Sequence, residues 1–270
     1  MNASCGPRLV VISGVTSGIG RALALTFAQR DGFIVAGCGR RSEELATLKA
    51  EAANAGRTLS TAVVDVADDG AVAEWARQLA DEYDRLAPTL VIANAGVSGK
   101  GHGAGVAAHQ VPRASFDAVM AINIGGVVSM ASHFLPSMLA ASAVGGERRA
   151  FIGISSGSGR STGATKAAYS ASKFAVEAYV KCLAHSLKDT PVAAVPLAPG
   201  TLQTGLNPSA DRPTAAAWSD AGADFLIDRV LGAPHADVNG ASLSVPGFYE
   251  AAYLKSWIIQ DGQPLMPESR

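Results

Sequence analysis

Apolar residues in this chain fall into short uninterrupted runs, separated by stretches in which they recur every third or fourth position. Leu9-Val10-Val11-Ile12, Phe33-Ile34-Val35-Ala36 and Ala150-Phe151-Ile152-Gly153-Ile154 show no alternation, as strands buried on both faces should. Similar runs cover 59–64, 89–93 and 192–197, and a last strand is expected at 241–245. Between them, 21–30, 42–55, 68–86, 114–141, 169–187 and 221–231 carry helical periodicity. Ser42 is placed to cap one of these helices and Gly56 to stop it. Strand and helix alternating in this way predict an α/β fold, a doubly wound parallel sheet of about seven strands flanked by helices. No linker or internal repeat divides residues 1–270, so one domain is expected. Residues 204–222, with Pro, Asp and weak periodicity, are read as a mobile lid. Residues 246–270, with Tyr253 and Trp257 at helical spacing, are read as a tail packed on the body or on a partner subunit.

Composition narrows the functional classes. With 270 residues, 48% hydrophobic and a formal net charge of -1, a large core is available. Nothing in that charge invites nucleic acid or an anionic membrane surface. Cys5, Cys38 and Cys182 lie far apart and form neither a metal spacing nor a disulfide pattern. The N-terminus lacks a signal-peptide core, and no uninterrupted apolar run approaches about 18 residues. A cytoplasmic protein without a resident metal is expected.

Two stretches carry chemistry. The first strand runs directly into Ser13-Gly14-Val15-Thr16-Ser17-Gly18-Ile19-Gly20 and then a helix. Glycines permit a tight turn and close backbone approach, and a helix N-terminus offers unpaired N–H groups and a positive dipole end, so this is a phosphate cradle. The same glycine spacing recurs at Gly99, Gly103 and Gly105 without a strand before it or a helix after it, which reads as a loop. The second strand ends in Gly39-Arg40-Arg41. A carboxylate near there would suit a ribose 2′-hydroxyl, whereas arginine suits a 2′-phosphate, so NADP(H) is favoured and NAD(H) remains open. In the second stretch, Tyr169 and Lys173 are four apart on a helix, hence on one face. A phenol ordinarily titrates near 10, and an ammonium beside it favours the phenolate. Ser156 ends the preceding strand, where its hydroxyl could bond the same reacting oxygen. Asn123, a polar residue inside Met120-Ala121-Ile122-Asn123-Ile124, is a poor helix former in mid-helix and has either a task or a buried hydrogen-bonded amide's ordinary place.

Taken together, Ser13-Gly14-x-x-x-Gly18-Ile19-Gly20, Asn94-Ala95-Gly96, Asn123, Ser156, Tyr169-x-x-x-Lys173 and Pro199-Gly200 resemble the short-chain dehydrogenases/reductases in order and approximate spacing, over 9–245. The resemblance implies a Rossmann-type domain and hydride transfer between a nicotinamide and a ketone, aldehyde or secondary alcohol. By it, Tyr169 is the general acid/base, Ser156 polarises the oxygen, Lys173 holds the nicotinamide ribose and lowers the tyrosine's pKa, and Asn123 holds a water leading to solvent. Gly14, Thr16, Ser17, Gly18, Ile19 and Gly20 would wrap the pyrophosphate, with Arg40 and Arg41 at the 2′ position. Asp65 and Val66 would flank the adenine, Asn94 would brace neighbouring strands, and Asn94, Ala95 and Gly96 would border the cofactor. Pro199, Gly200, Leu202 and Thr204 would line the nicotinamide side. A homodimer or homotetramer is implied, with a shared face from 114–141 and 164–187.

Departures sit on the substrate side and at the tail. The loop after Gly96 is longer and richer in glycine than usual and carries His102 and His109, while Arg212 in the lid could meet a substrate anion. Val245-Pro246-Gly247-Phe248 replaces the usual Asp-Gly-Gly. Two rival readings are kept: a same-fold epimerase or dehydratase using transient hydride transfer, and a nucleotide-sensing scaffold without turnover.

Overall fold

Strand β1 (Arg8–Ser13) occupies the middle of the sheet, and its register explains why its apolar run does not alternate. Val10 and Ile12 belong to one hydrophobic core, Leu9 and Val11 to another on the opposite face. A parallel strand covered by helices on both sides has no solvent face to leave polar. The computed structural model describes residues 6–99, 105–145, 147–206, 210–246 and 248, together with the backbone of 259–260 and 263–264.

The remaining strands are β2 (Phe33–Gly39), β3 (Leu59–Val63), β4 (Pro88–Ala93), β5 (Arg149–Ile154), β6 (Val192–Ala198) and β7 (Leu243–Ser244). They pair in parallel in the order β3-β2-β1-β4-β5-β6-β7. The order reverses between β1 and β4, and at such a switch point the strand ends open a crevice for a ligand.

Helices α1 (Gly18–Ala28), α2 (Ser42–Asn54) and α7 (Ala215–Asp224) supply residues to the core that holds Val10. Helices α3 (Asp69–Glu82), α5 (Gly126–Gly145) and α6 (Ala167–Ser186) supply those of the other. A shorter α4 (Arg113–Met120) leads into α5, and α8 (His235–Val238) precedes β7.

Several expectations shift. Ser42 is the first helical residue of α2, and Arg41 occupies the cap position without a side-chain cap bond. The expected helix over 114–141 is interrupted by a π-helical turn, Ala121–Gly125. Residues 113–144 form a helix long and apolar enough to cross a membrane, yet half of its most apolar window is buried. Val127, Met130 and Met138 are packed into the core, which accounts for its composition. The second half of the expected lid is folded: Thr214 accepts a bond from the Ala217 N–H at 3.1 Å and caps α7, where Trp218 is fully buried. Residues 207–209 of the lid, His102 in the glycine loop, and Tyr253 and Trp257 in the tail lie outside the described residues.

Candidate active site

The glycine turn is locked to β4 by a closed set of hydrogen bonds. The Ser13 hydroxyl accepts from the N–H groups of Asn94 and Ala95 at 3.0 and 3.1 Å. The Asn94 amide donates back to the carbonyls of Ser13 and Gly14 at 2.9 and 3.2 Å. Gly14 has φ +76° and Gly18 φ +59°, values that favour glycine. A Cβ on Gly20 would lie 2.4 Å from the Asn94 amide nitrogen, so Gly20 serves this packing rather than facing the crevice. Gly18 differs: around its Cβ position the nearest atoms belong to Thr204, at 3.7 Å. The first turn of α1 begins there, with Ser17 making no side-chain cap bond. Its unpaired N–H groups are free for an anion, and the site fits a pyrophosphate.

At the end of β2, any side chain on residue 39 would meet the Thr16 methyl, since a Cβ on Gly39 would lie 2.5 Å from it. Arg40 borders the same cavity and lies 3.5 Å from the Asp65 carboxylate. Arg41 turns aside. Its guanidinium donates to the Thr16 hydroxyl at 2.9 Å and pairs with Glu44 at 2.8 Å. One arginine of the expected pair therefore faces the crevice, while the other braces Thr16 at its rim.

On the far side, β5 delivers Ser156 and α6 delivers Tyr169 and Lys173. The Ser156 hydroxyl accepts from the Ser158 N–H at 3.2 Å and lies near enough to the Tyr169 phenol to favour its ionised form. Burial raises the Tyr169 pKa above its ordinary value, and the Ser156 hydroxyl only partly opposes this. Lys173 is buried and donates from Nζ to the Ile154 carbonyl at 2.7 Å. Desolvation pulls its pKa down to about 8. Its ammonium is 5.8 Å from the centre of the tyrosine ring. Burial, rather than the lysine, sets the direction of the tyrosine's shift here.

Asn123 is fully buried in the π turn. Its Oδ1 accepts from the Val97 N–H at 2.7 Å, and its amide donates to the Val97 carbonyl and to the Ser172 hydroxyl, both at 2.9 Å. Both amide hydrogens are committed to protein. Asn123 joins the strand extension after Gly96 to the face of α6 next to Tyr169, since the Ser172 hydroxyl donates in turn to the Tyr169 carbonyl at 2.7 Å.

A cavity of about 770 Å³ connects these parts. Of the residues anticipated from sequence, Gly14, Thr16, Ser17, Gly18, Ile19, Arg40, Asp65 and Val66 line its one end. Asn94, Ala95, Gly96, Ser156, Tyr169, Lys173, Pro199, Gly200, Leu202 and Thr204 line the rest. Gly20, Arg41 and Asn123 lie behind the wall. Arg212 borders the cavity; His109 is exposed on a short 3₁₀ turn away from it. Thr165 and Lys166 also line it and went unremarked in the sequence, although their place just before Tyr169 was the available signal. Among the described residues no cluster of His, Cys, Asp or Glu could hold a metal ion.

A sheet in this order, with a glycine cradle at its switch point, places the protein among the doubly wound dinucleotide-binding folds. The chain belongs to the short chain dehydrogenase family, whose profile matches residues 8–214, and is an oxidoreductase of that group. It is 33% identical over 251 residues to an NADPH-dependent pterin aldehyde reductase of Arabidopsis thaliana, covering 90% of this chain and 96% of the relative. It is 34% identical over 199 residues to an uncharacterized oxidoreductase of Myxococcus xanthus, covering 74% of each. A short chain dehydrogenase structure from Salmonella enterica serovar Typhi superposes with a TM-score of 0.74 at 22% identity, covering 89% of this chain and 96% of that one. That likeness is one of fold.

Proposed function

We propose that this chain is a reductase that uses NADPH to convert a small aldehyde or ketone to an alcohol, with Tyr169 as the proton donor. The observation that carries this reading is that Ser156, Tyr169 and Lys173 line the same cavity as the glycine cradle. Bound NADPH supplies the hydride. The protein's own share is to hold the carbonyl and deliver a proton. Ser158 takes one lone pair of the Ser156 hydroxyl, leaving its hydrogen to donate beside the Tyr169 phenol. A carbonyl oxygen entering between them would accept from both, and hydrogen bonds that strengthen as charge grows on that oxygen favour the transition state. Lys173, with a pKa near 8, is a proton source able to exchange close to neutrality.

NADPH over NADH is supported by Arg40 at the cavity edge, by the space at residue 39 that Thr16 closes to any carboxylate, and by the name of the Arabidopsis relative. An oligomer belongs to the same reading: Val128 on α5 and Phe174 on α6 are 36% and 42% exposed, on the two segments expected to form a shared face.

The test is a fluorescence titration of NADPH against NADH, on the wild type and on Arg40→Ala. NADPH should bind about ten to a hundred times more tightly, the equivalent of one to two charge-assisted hydrogen bonds, and Arg40→Ala should erase most of that difference. Tyr169→Phe should retain NADPH binding and lose about a hundredfold or more in turnover of an aldehyde panel. Equal or tighter binding of NADH would overturn the cofactor assignment, and full turnover by Tyr169→Phe the chemical one.

A further inference from the structure

Helix α6 presents three polar side chains at intervals of four: Tyr169, Lys173 and Glu177. That spacing puts them on one face, and the third belongs to a buried network that the reaction does not use. Glu177 is 6% exposed. It accepts from Arg160 Nε at 2.9 Å and from the Ser242 hydroxyl at 2.7 Å. The remaining arms of Arg160 donate to the Ser244 hydroxyl at 2.8 Å and to the Leu243 carbonyl at 2.9 Å. Arg160 closes the 3₁₀ turn Gly157–Gly159, which Ser156 begins. The turn also touches α6 directly, since a Cβ on Gly159 would lie 2.7 Å from the Lys173 carbonyl oxygen.

On the reading that Ser156 and Tyr169 are the reacting pair, we infer that the Arg160–Glu177 pair is a positioning element that fixes the distance between them, and that β7 takes part in setting it. Ser156 and Tyr169 come from different elements, and the turn after Ser156 contains two glycines, which give its backbone little stiffness of its own. A planar guanidinium held by three acceptors on α6 and β7 defines position and orientation together. An apolar contact of the same size would hold the elements together but would let them slide. Desolvated charges are a poor source of net stability, which leaves geometry as the gain.

The experiment uses the NADPH-loaded full chain and three variants: Glu177→Gln, Arg160→Lys, and the double change Arg160→Met with Glu177→Leu, which leaves no buried charge unpaired. Hydrogen exchange is followed in peptides spanning 156–161, and steady-state kinetics on an aldehyde panel. Exchange in 156–161 should quicken in all three, and kcat should fall about tenfold or more, least in Arg160→Lys. The NADPH dissociation constant should stay within about twofold of the wild type. Unchanged exchange and kcat in the double variant, with only the melting temperature altered, would overturn the inference. A wild type that reduces no carbonyl would instead defeat the oxidoreductase reading, and the exchange measurements would still decide whether the pair holds the turn.

Discussion

At the scale of single residues, the least usual group is Lys173, a buried ammonium that donates to the Ile154 carbonyl. Its pKa falls from 10.5 to about 8. Between those values the unfolded chain holds a proton that the native state has released, so stability rises with pH. Below about 8 both states are protonated and the burial cost is present in full. Two buried groups act in the other sense. The Cys38 thiol is pushed from 9.0 up to about 12, and the Tyr169 phenol is raised above 10.0. Each stabilises the native state below its unfolded value and loses that effect as pH rises through the folded one. Their stability terms begin to bend only above about 9, so the window from about 8 to 9 belongs to Lys173. Urea denaturation across it should show stability increasing with pH in the wild type and not in Lys173→Met. Parallel slopes for the two proteins would rule out a lysine shifted in this way.

At the scale of elements, the joint between α4 and α5 carries the most consequence. Asn123→Ala should destabilise the protein by about 2–4 kcal/mol, because it removes a fully buried amide that partners both the N–H and the carbonyl of half-buried Val97. Urea unfolding measures this, and a loss below about 1 kcal/mol would mean that water replaces the amide. The sequence announced this residue by its misfit in an apolar helix, yet it could not show that the helix changes pitch there or that the amide reaches Val97. Periodicity is a local signal, and such partners are set by how elements pack. The same limit explains why helical spacing sets Lys173 beside Tyr169 but does not show that it also bonds the Ile154 carbonyl on β5. The strands and the glycine cradle were legible because their patterns are local and dense. The start of α7 was not, because the Pro, Asp and weak periodicity around Thr214 masked the cap.

At the scale of the whole molecule, exposed Val128 on α5 and Phe174 on α6 set an expectation for assembly. Light scattering should give a mass at least twice the 27.4 kDa of the chain, and Phe174→Glu should shift it toward the monomer. A wild type that stays monomeric at micromolar concentration would remove that face from consideration. The division of the sheet bears on the site as well. Strands β1, β2, β3 and β4 lead to the glycine cradle, Arg40, Asp65 and Asn94, whereas Ser156, Tyr169 and Lys173 all follow β5. Within the sheet the two halves meet where β4 pairs with β5.

That pairing has a consequence during synthesis. β4 is complete at Ala93, but β5, which covers its open edge, begins at Arg149. Until the ribosome has made and released that stretch, the nascent half-sheet presents Leu90, Val91 and Ile92 on an unpaired edge, the kind of surface that joins to other chains. Expression at lower temperature or with added chaperones should therefore raise the soluble yield. A chain truncated before β5 should aggregate although its glycine turn and first four strands are intact.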